Sequence, residues 1–277
     1  MYSKAILQQM SRLYFGMVAS GSRGNCSFLA DGQTLAIVDF GISYRRFYQR
    51  IEGLGPGFES INLFVSHEHS DHSSGIPVAT RKAKIDLYSR ELTISSLGMK
   101  DAFPIHDRVT IDDLKVTAVD VSHDAADPVA YVFRSGKIKI SVISDLGKVD
   151  DRLVEEAKGS DIIAMEANHD IEMLRKGSYS QGLKTRIEGS YGHLSNVQSG
   201  EALSEICNED TRIILTHLSQ ENNTEKTALS TVKRILQWNS VRYKSIECAS
   251  QIDGSSMYVI DKDTRQTEML PKNSQIP

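Results

Sequence analysis

Three histidines and an aspartate crowd into six residues at His67-Glu68-His69-Ser70-Asp71-His72, directly behind the apolar run Ile61 to Val65. Imidazole and carboxylate together suit Zn²⁺, Mn²⁺ or Fe²⁺, whereas the lack of thiolate in the run argues against a structural zinc knot. An apolar strand holds the side chains at its end rigidly, and the turn after it can aim several of them at one centre. A single His-x-His in a surface loop is ordinarily a solvated pair. The longer His-x-His-x-Asp-His pattern at a strand end reads as a metal site.

An open catalytic site needs further ligands from elsewhere in the chain. His123 follows the apolar stretch Leu114 to Val121, Asp145 follows Ile138 to Ser144, and His217 follows Arg212 to Thr216. Each is a polar residue where an apolar strand stops. Taken alone, each could be a histidine or aspartate satisfied inside a core. Taken with the first cluster, they read as ligands gathered at a sheet edge.

In this order, the His67–His72 motif, His123, Asp145 and His217 resemble the metallo-β-lactamase superfamily. The resemblance implies two divalent metal ions, Zn²⁺ or Mn²⁺. It gives the first to His67, His69 and His123 and the second to Asp71, His72 and His217, with Asp145 bridging. Asp39, in Ile37-Val38-Asp39-Phe40-Gly41, matches the superfamily's earlier acidic motif and is expected to orient a ligand histidine. The implied fold is α/β (α+β), an αββα sandwich of two mixed sheets flanked by helices. That fold hosts β-lactamases, thioesterases, oxygen reductases and nucleases, so it does not by itself name a reaction. Further segments are similar to the YycJ/WalJ group of 5′-to-3′ DNA exonucleases. They are Ser20-Gly21-Ser22-Arg23-Gly24-Asn25, His123-Asp124-Ala125-Ala126-Asp127-Pro128, Glu166-Ala167-Asn168-His169-Asp170, and Gly192-His193-Leu194-Ser195-Asn196. Two positions depart from that group: Ala130 stands where glycine is usual and Leu146 where threonine is usual. Neither is an expected ligand, so both bear on substrate fit.

The residues make their own case for a nuclease. Two metals can activate a water and stabilise both the attacking and the leaving oxygen of a phosphodiester. The leaving alkoxide then needs a proton or a cationic partner. His193, just ahead of a helix N-terminus, is expected to be that general acid or a phosphate contact. The plain alternative is a helix-entry histidine packed on the sheet. Asp71 and His193 are thus the catalytic candidates. Asn196 is read as the helix N-cap and, with the following amides, as a phosphate contact. Glu166 ends a strand and is expected to orient a ligand, while His169 either meets substrate or makes structural hydrogen bonds. The Ser20–Asn25 loop is too short and differently ordered for a nucleotide P-loop. Arg23, Asn25 and its amides are expected to cradle a terminal phosphate, against the alternative of a simple β-turn. Arg45-Arg46, Arg81-Lys82-Lys84 and Lys184-Arg186 could follow a DNA backbone, although such pairs are mostly solvated faces. Tyr179 could stack on a base. His106 has no assigned partner and reads as an exposed loop residue.

These side chains must be carried by a scaffold. Apolar runs predict strands at Tyr14–Ala19, Cys26–Ala30, Thr34–Asp39, Ile61–Val65, Lys84–Tyr88, Leu114–Val121, Ala130–Arg134, Lys137–Ser144, Ile162–Glu166 and Arg212–Thr216. A Ser135-Gly136 hairpin joins two of them. Helices are expected in the stretch leading to Ile51 and near Asp151–Lys158, Val197–Cys207 and Glu225–Trp238. Strands and helices interleave without a regular βαβ repeat, which suits a two-sheet core with outer helices. One domain over residues 1–277 is expected, with a loose polar tail from about residue 258.

The chain has 277 residues, of which 40% are hydrophobic and 25% charged, enough to bury a sizeable core. A net charge of −4 and a pI near 6.1 exclude a protein that coats nucleic acid by bulk electrostatics. They leave room for an enzyme that grips phosphate locally. The opening residues Met1 to Arg12 lack an apolar core with a small-residue cleavage site, no apolar run suits a membrane span, and the three cysteines (Cys26, Cys207, Cys248) are widely spaced. A cytoplasmic protein with reduced thiols is expected. The expected function is a dinuclear metal-dependent phosphodiesterase, a 5′-to-3′ DNA exonuclease, with DNA as partner and no membrane. A thioesterase or lactonase of the same fold would share every metal ligand but has no need of Gly-His-Leu-Ser. A non-catalytic metal-binding protein is the second rival.

Overall fold

The computed structural model describes residues 11–54 and 57–272. Among them, fifteen strands form two mixed sheets. They are β1 (Arg12–Ala19), β2 (Cys26–Asp31), β3 (Thr34–Val38), β4 (Ser60–Phe64), β5 (Asp86–Ser89), β6 (Phe103–Pro104), β7 (Arg108–Ile111), β8 (Leu114–Asp120), β9 (Val129–Ser135), β10 (Ile138–Ile143), β11 (Ile162–Glu166), β12 (Arg212–Thr216), β13 (Ser245–Cys248), β14 (Met257–Asp261) and β15 (Thr267–Leu270). The first sheet runs β15-β14-β1-β2-β3-β4-β5-β6 and the second β13-β12-β11-β10-β9-β8-β7. The helices are α1 (Tyr44–Ile51), α2 (Ser70–Ser73), α3 (Ile76–Lys82), α4 (Glu91–Leu97), α5 (Asp151–Ala157), α6 (Ile171–Lys176), α7 (Gln181–Glu188), α8 (Asn196–Ile206) and α9 (Glu225–Trp238).

The chain divides into two compact units. One holds the residues up to Val116, Arg134–Ile138 and the residues from Ser250 onward; the other holds Thr117–Phe133 and Lys139–Ala249. In the first unit, β3, β4 and β5 are parallel, with Val38 beside Phe64 and Phe64 beside Tyr88. In the second, β10, β11, β12 and β13 are parallel, with Glu166 beside Thr216. Parallel strands covered on both faces read as continuous apolar runs, and those of β3, β11 and β12 are buried almost throughout. Ligand sites in such sheets form beyond the carboxyl ends of the strands. Those ends are where Asp39, Ser66–His72, Asp145, Glu166 and His217 lie.

Leu35, Ile37, Phe40, Phe47, Leu63 and Val65 are central to the core of the first unit. Arg46 of α1 donates through Nη2 to the carbonyls of Val18 (3.0 Å), Gln251 (2.6 Å) and Ile252 (2.9 Å). Its charge is therefore engaged in tying α1 down rather than offered to a DNA backbone. The core of the second unit gathers Val132, Ile143, Met165, Leu203, Leu215 and Val232. Helix α9 buries Ala228, Thr231, Val232 and Leu236, a stripe at helical spacing. It approaches α8 closely at Gly200, where an added Cβ would lie 2.8 Å from Ile235 Cδ1.

The stretch beyond residue 258 corrects the expectation of a loose tail. β14 pairs antiparallel with β1, β15 pairs with β14, and Met257, Tyr258, Val259 and Ile260 are buried. The polar residues that suggested a tail belong partly to a turn. Asp261 Oδ1 accepts from the amides of Asp263 (3.1 Å) and Thr264 (2.8 Å), the bonding of an Asx turn. Residues 273–277 lie outside the described residues. No described helix is long and apolar enough to cross a membrane.

Candidate metal centre

In the first unit the cluster forms where β3 and β4 end. Asp39 takes a left-handed backbone (φ 59°), which an aspartate adopts only when its surroundings hold it there. Its carboxylate accepts from Ser66 N (2.7 Å), Ser66 Oγ (2.9 Å) and His72 Nδ1 (2.7 Å). A carboxylate only accepts, so Nδ1 of His72 carries the proton and the lone pair stands on Nε2. Ser66 Oγ, having given its hydrogen to Asp39, accepts from His67 Nδ1 at 2.9 Å, which leaves the His67 lone pair on Nε2 as well. That nitrogen faces His69 Nδ1 at 3.1 Å. Two ring nitrogens turned on each other in this way suit a shared cation. Asp71 Oδ2 lies 3.5 Å from His72 Nε2.

The loop Ser20–Asn25 turns on Gly21 (φ 120°) and Gly24 (φ 137°). Asn25 is buried: its Oδ1 accepts from Gly21 N at 2.7 Å, while Nδ2 lies 2.9 Å from His72 Nε2 and 3.3 Å from Asp71 Oδ2. Its backbone N–H also donates to Asp71 O at 2.7 Å. The structure therefore sets Asn25 against two expected ligands rather than leaving it open to substrate, and it leaves Arg23 exposed. Gly41 completes the packing, since a Cβ there would overlap the Asp71 carbonyl oxygen.

In the second unit, Asp145 (φ 57°) and His217 (φ 54°) are again left-handed residues directly behind strands. Asp145, Glu166, His193 and His217 place ligand-type atoms within 4.8 Å of one another. Glu166, fully buried, accepts from His193 Nδ1 (2.7 Å), Leu146 N (3.0 Å) and Leu194 N (3.2 Å). His217 Nδ1 stands 3.3 Å from Glu166 Oε1 and 3.4 Å from Asp145 Oδ1. His123 Nδ1 donates to Gly192 O at 3.1 Å, which again directs its lone pair to Nε2. A carbonyl or carboxylate that fixes the far nitrogen is the usual support of a metal-ligating histidine.

Asparagines brace the loops that carry these groups. Asn223 Nδ2 donates to Ala167 O, Asn168 O and Asn196 Oδ1, and Asn196 Nδ2 returns to Asn223 Oδ1 at 3.0 Å. Asn168 Nδ2 donates to His217 O at 3.0 Å. Asn196, almost fully buried, has both ends of its amide engaged and is not the helix cap. Ser195 caps α8 instead, accepting from Gln198 N while Gln198 Oε1 accepts from Ser195 N, a reciprocal box. His169 is buried and its Nδ1 has no hydrogen-bond partner, so it presents little surface to a substrate. His106 is exposed, with Nε2 3.8 Å from Glu91 Oε1. The roles of Ser66, Asn168 and Asn223 escape a reading of the sequence. Only the position of Ser66 beside the first histidine hints at its part.

The charges separate the histidines by task. Burial lowers the pKa of His123 and keeps it neutral, as a metal ligand must be. For Glu166 burial favours the neutral acid, but the His193 charge and hydrogen bonds from His193 and His217 outweigh it and bring the carboxyl to about 2. For His193 burial lowers the pKa, yet the Glu166 charge, the Glu166 hydrogen bond and Asp145 raise it overall. The His193 imidazole, mostly buried, thus pairs a raised pKa with a fully buried carboxylate. Imidazole and carboxylate oxygen, without thiolate, suit Zn²⁺ or Mn²⁺.

A family model, the beta-lactamase superfamily domain, matches residues 36–218. The chain belongs to the metallo-β-lactamase superfamily. Within that superfamily it is 33% identical to "Exodeoxyribonuclease YycJ" of Bacillus anthracis, over 81% of this chain and 89% of the relative. It is 34% identical to "Exodeoxyribonuclease WalJ" of Streptococcus pneumoniae serotype 2, over 79% of this chain and 86% of the relative. The superfamily fold is seen again in the solved structure of YhfI from Bacillus subtilis, at 14% identity and a TM-score of 0.68, over 90% of this chain and 99% of that one. As a metallo-β-lactamase superfamily member of the YycJ/WalJ kind, the chain is a metal-dependent hydrolase.

Proposed function

We propose that the protein is a dinuclear metal-dependent phosphodiesterase that removes nucleotides from DNA in the 5′-to-3′ direction. Its ligands would be His67, His69 and His123 for one ion, Asp71, His72 and His217 for the other, and Asp145 for both. The relatives that carry the name exodeoxyribonuclease support DNA as the substrate. The three free cysteines fit a reducing cytoplasm. Bound at these residues, divalent ions lower the pKa of water and offset the charge of the phosphate.

The observation that carries the reading is the Glu166–His193 pair at 2.7 Å. Hydrolysis of a phosphodiester expels an alkoxide, a strong base that leaves well only when protonated. Glu166 holds His193 Nδ1–H and favours the imidazolium, so Nε2–H is available for transfer to the leaving oxygen. Asp39 and Gly192 O fix the rings of His72 and His123. Asn25 braces Asp71. A thioesterase would use the same ligands, but a thiolate leaves without such an acid; a lactonase also expels an alkoxide, and the exodeoxyribonuclease relatives favour DNA over it.

The test is a nuclease assay on 5′-phosphorylated linear, 5′-hydroxyl linear and circular DNA, with Zn²⁺ and Mn²⁺ supplied separately and a thioester run in parallel. The expected result is mononucleotide release from linear DNA with a resistant circle. Equal cutting of the circle would make the enzyme an endonuclease, and turnover of the thioester alone would overturn the reading.

A further inference from the structure

We propose that Tyr191 is a nucleobase platform, its ring stacking on a base of the DNA end that is cut beside His193. The inference rests on the nuclease reading and adds to it a contact for the base, where the groups described so far engage only metal and phosphate.

The short loop Ser190–Gly192 is held firmly. Three successive carbonyls, those of Ser190, Tyr191 and Gly192, each accept a hydrogen bond from the segment that carries His123. Ser122 Oγ donates to Ser190 O at 2.6 Å, Asp124 N to Tyr191 O at 3.1 Å, and His123 Nδ1 to Gly192 O at 3.1 Å. The loop is pinned from its other side too, by Gly192 N on Gly189 O (2.9 Å) and His193 N on Ile187 O (3.0 Å). Its packing leaves no slack: a Cβ on Gly192 would overlap the carbonyls of Ile187 and Arg186, and one on Gly147 would overlap Gly189 O.

Out of this fixed backbone projects one large side chain into solvent. Tyr191 is 63% exposed. A scattered exposed aromatic is ordinary and calls for no explanation. This one differs because its backbone is tied, bond by bond, to the segment of a proposed metal ligand, and because it stands two residues before the proposed acid. Two residues reach about 7 Å at most, which is the rise of about two stacked nucleotides. A ring so placed can meet the base of the scissile nucleotide or its neighbour while His193 meets the leaving oxygen. The loop is already ordered, so stacking on it loses little conformational freedom. Every base offers a π-face, so such a platform grips DNA ends without choosing a sequence. Tyr179, the aromatic that the sequence suggested for this role, is only half-exposed, in the turn between α6 and α7.

The test uses the full protein in Mn²⁺ with a slowly hydrolysed, phosphorothioate-linked oligothymidine, followed by fluorescence anisotropy before turnover. A second oligonucleotide has abasic sites in place of its first two bases. Wild type is expected to bind the intact end roughly tenfold or more tightly than the abasic end. Tyr191→Ala should bind both ends equally, at the abasic affinity, and Tyr191→Phe should behave as wild type. A Tyr191→Ala protein that still prefers the intact end overturns the platform while leaving the nuclease reading intact. Failure of wild type to bind either oligonucleotide removes both.

Discussion

Three hydrogen bonds from Ser66 and His72 converge on the buried carboxylate of Asp39. Asp39→Ala leaves a buried imidazole N–H and an amide without partners. The expected cost is about 1–3 kcal/mol of stability, read by denaturant melts of the metal-free protein. Because His72 loses its fixed tautomer, Mn²⁺ or Zn²⁺ affinity should also fall by roughly 10- to 100-fold in calorimetry. A variant with unchanged affinity would show that Asp39 serves the strand end alone.

At His193 the prediction concerns pH. The imidazole donates only while protonated, and its pKa lies above the ordinary 6.5. On the proposed mechanism, kcat holds at neutral pH and falls as pH rises through that raised value. Glu166→Gln removes the charge that raises it, so the fall should move to lower pH in a kcat profile taken at saturating DNA. A basic limb that stays in place in this variant would take the acid role away from His193. At this scale the candidate donors stood out in the sequence, those of His67–His72 because they crowd into six residues and His123, Asp145 and His217 because each follows an apolar strand. The partners were not. Asn25 looked open to phosphate, but it rests on Asp71 and His72, a pairing set by how β3 and β4 end and invisible to local spacing.

At the scale of elements, the long apolar strands could be read from their residues because burial on both faces imposes continuous hydrophobic runs. The short helices α2, α3, α4, α6 and α7 were not read, their four to eight residues giving little periodic signal, although α1 and α5, no longer than these, were expected. The end of the chain misled for a different reason. Met257–Ile260 is a strand sequence, but the polar Asp261–Thr264 turn that follows it resembles a frayed terminus. Ser195 caps α8 in place of the expected Asn196, because Asn196 is claimed by Asn223. The loop between α7 and α8 carries a prediction of its own. Gly192→Ala forces a methyl group into two carbonyls, and the loop that holds His123 must shift. It should cost about 1–3 kcal/mol and lower kcat more than Tyr191→Ala does. Thermal melts beside single-turnover rates check it, and native stability with native rates would show that the loop has slack.

On the proposed function, a net charge of −4 over the whole molecule sets the terms of DNA binding. Affinity must come from the ions and a few local contacts rather than from a basic face, and several basic groups are already spent. Arg46 holds backbone carbonyls, and Arg186 Nε sits 2.5 Å from Asp124. A shallow salt dependence is expected, with far fewer phosphates neutralised than a basic DNA-coating protein shows. A steep slope in anisotropy between 50 and 200 mM salt, read at roughly those concentrations, would point instead to an extended basic track. Metal should also stabilise the fold, by about 2.7 kcal/mol when its free concentration is 100 times Kd.

On the proposed function, His67, His69, Asp71, His72, His123, Asp145 and His217 together hold a pair of divalent ions. Metal content measured by mass spectrometry after dialysis against Mn²⁺ or Zn²⁺ tests it most directly. Two ions per chain are expected in the wild type, with loss of at least one in both His67→Ala and His217→Ala. Two ions retained in either variant, or none bound by a folded wild-type chain, would contradict it.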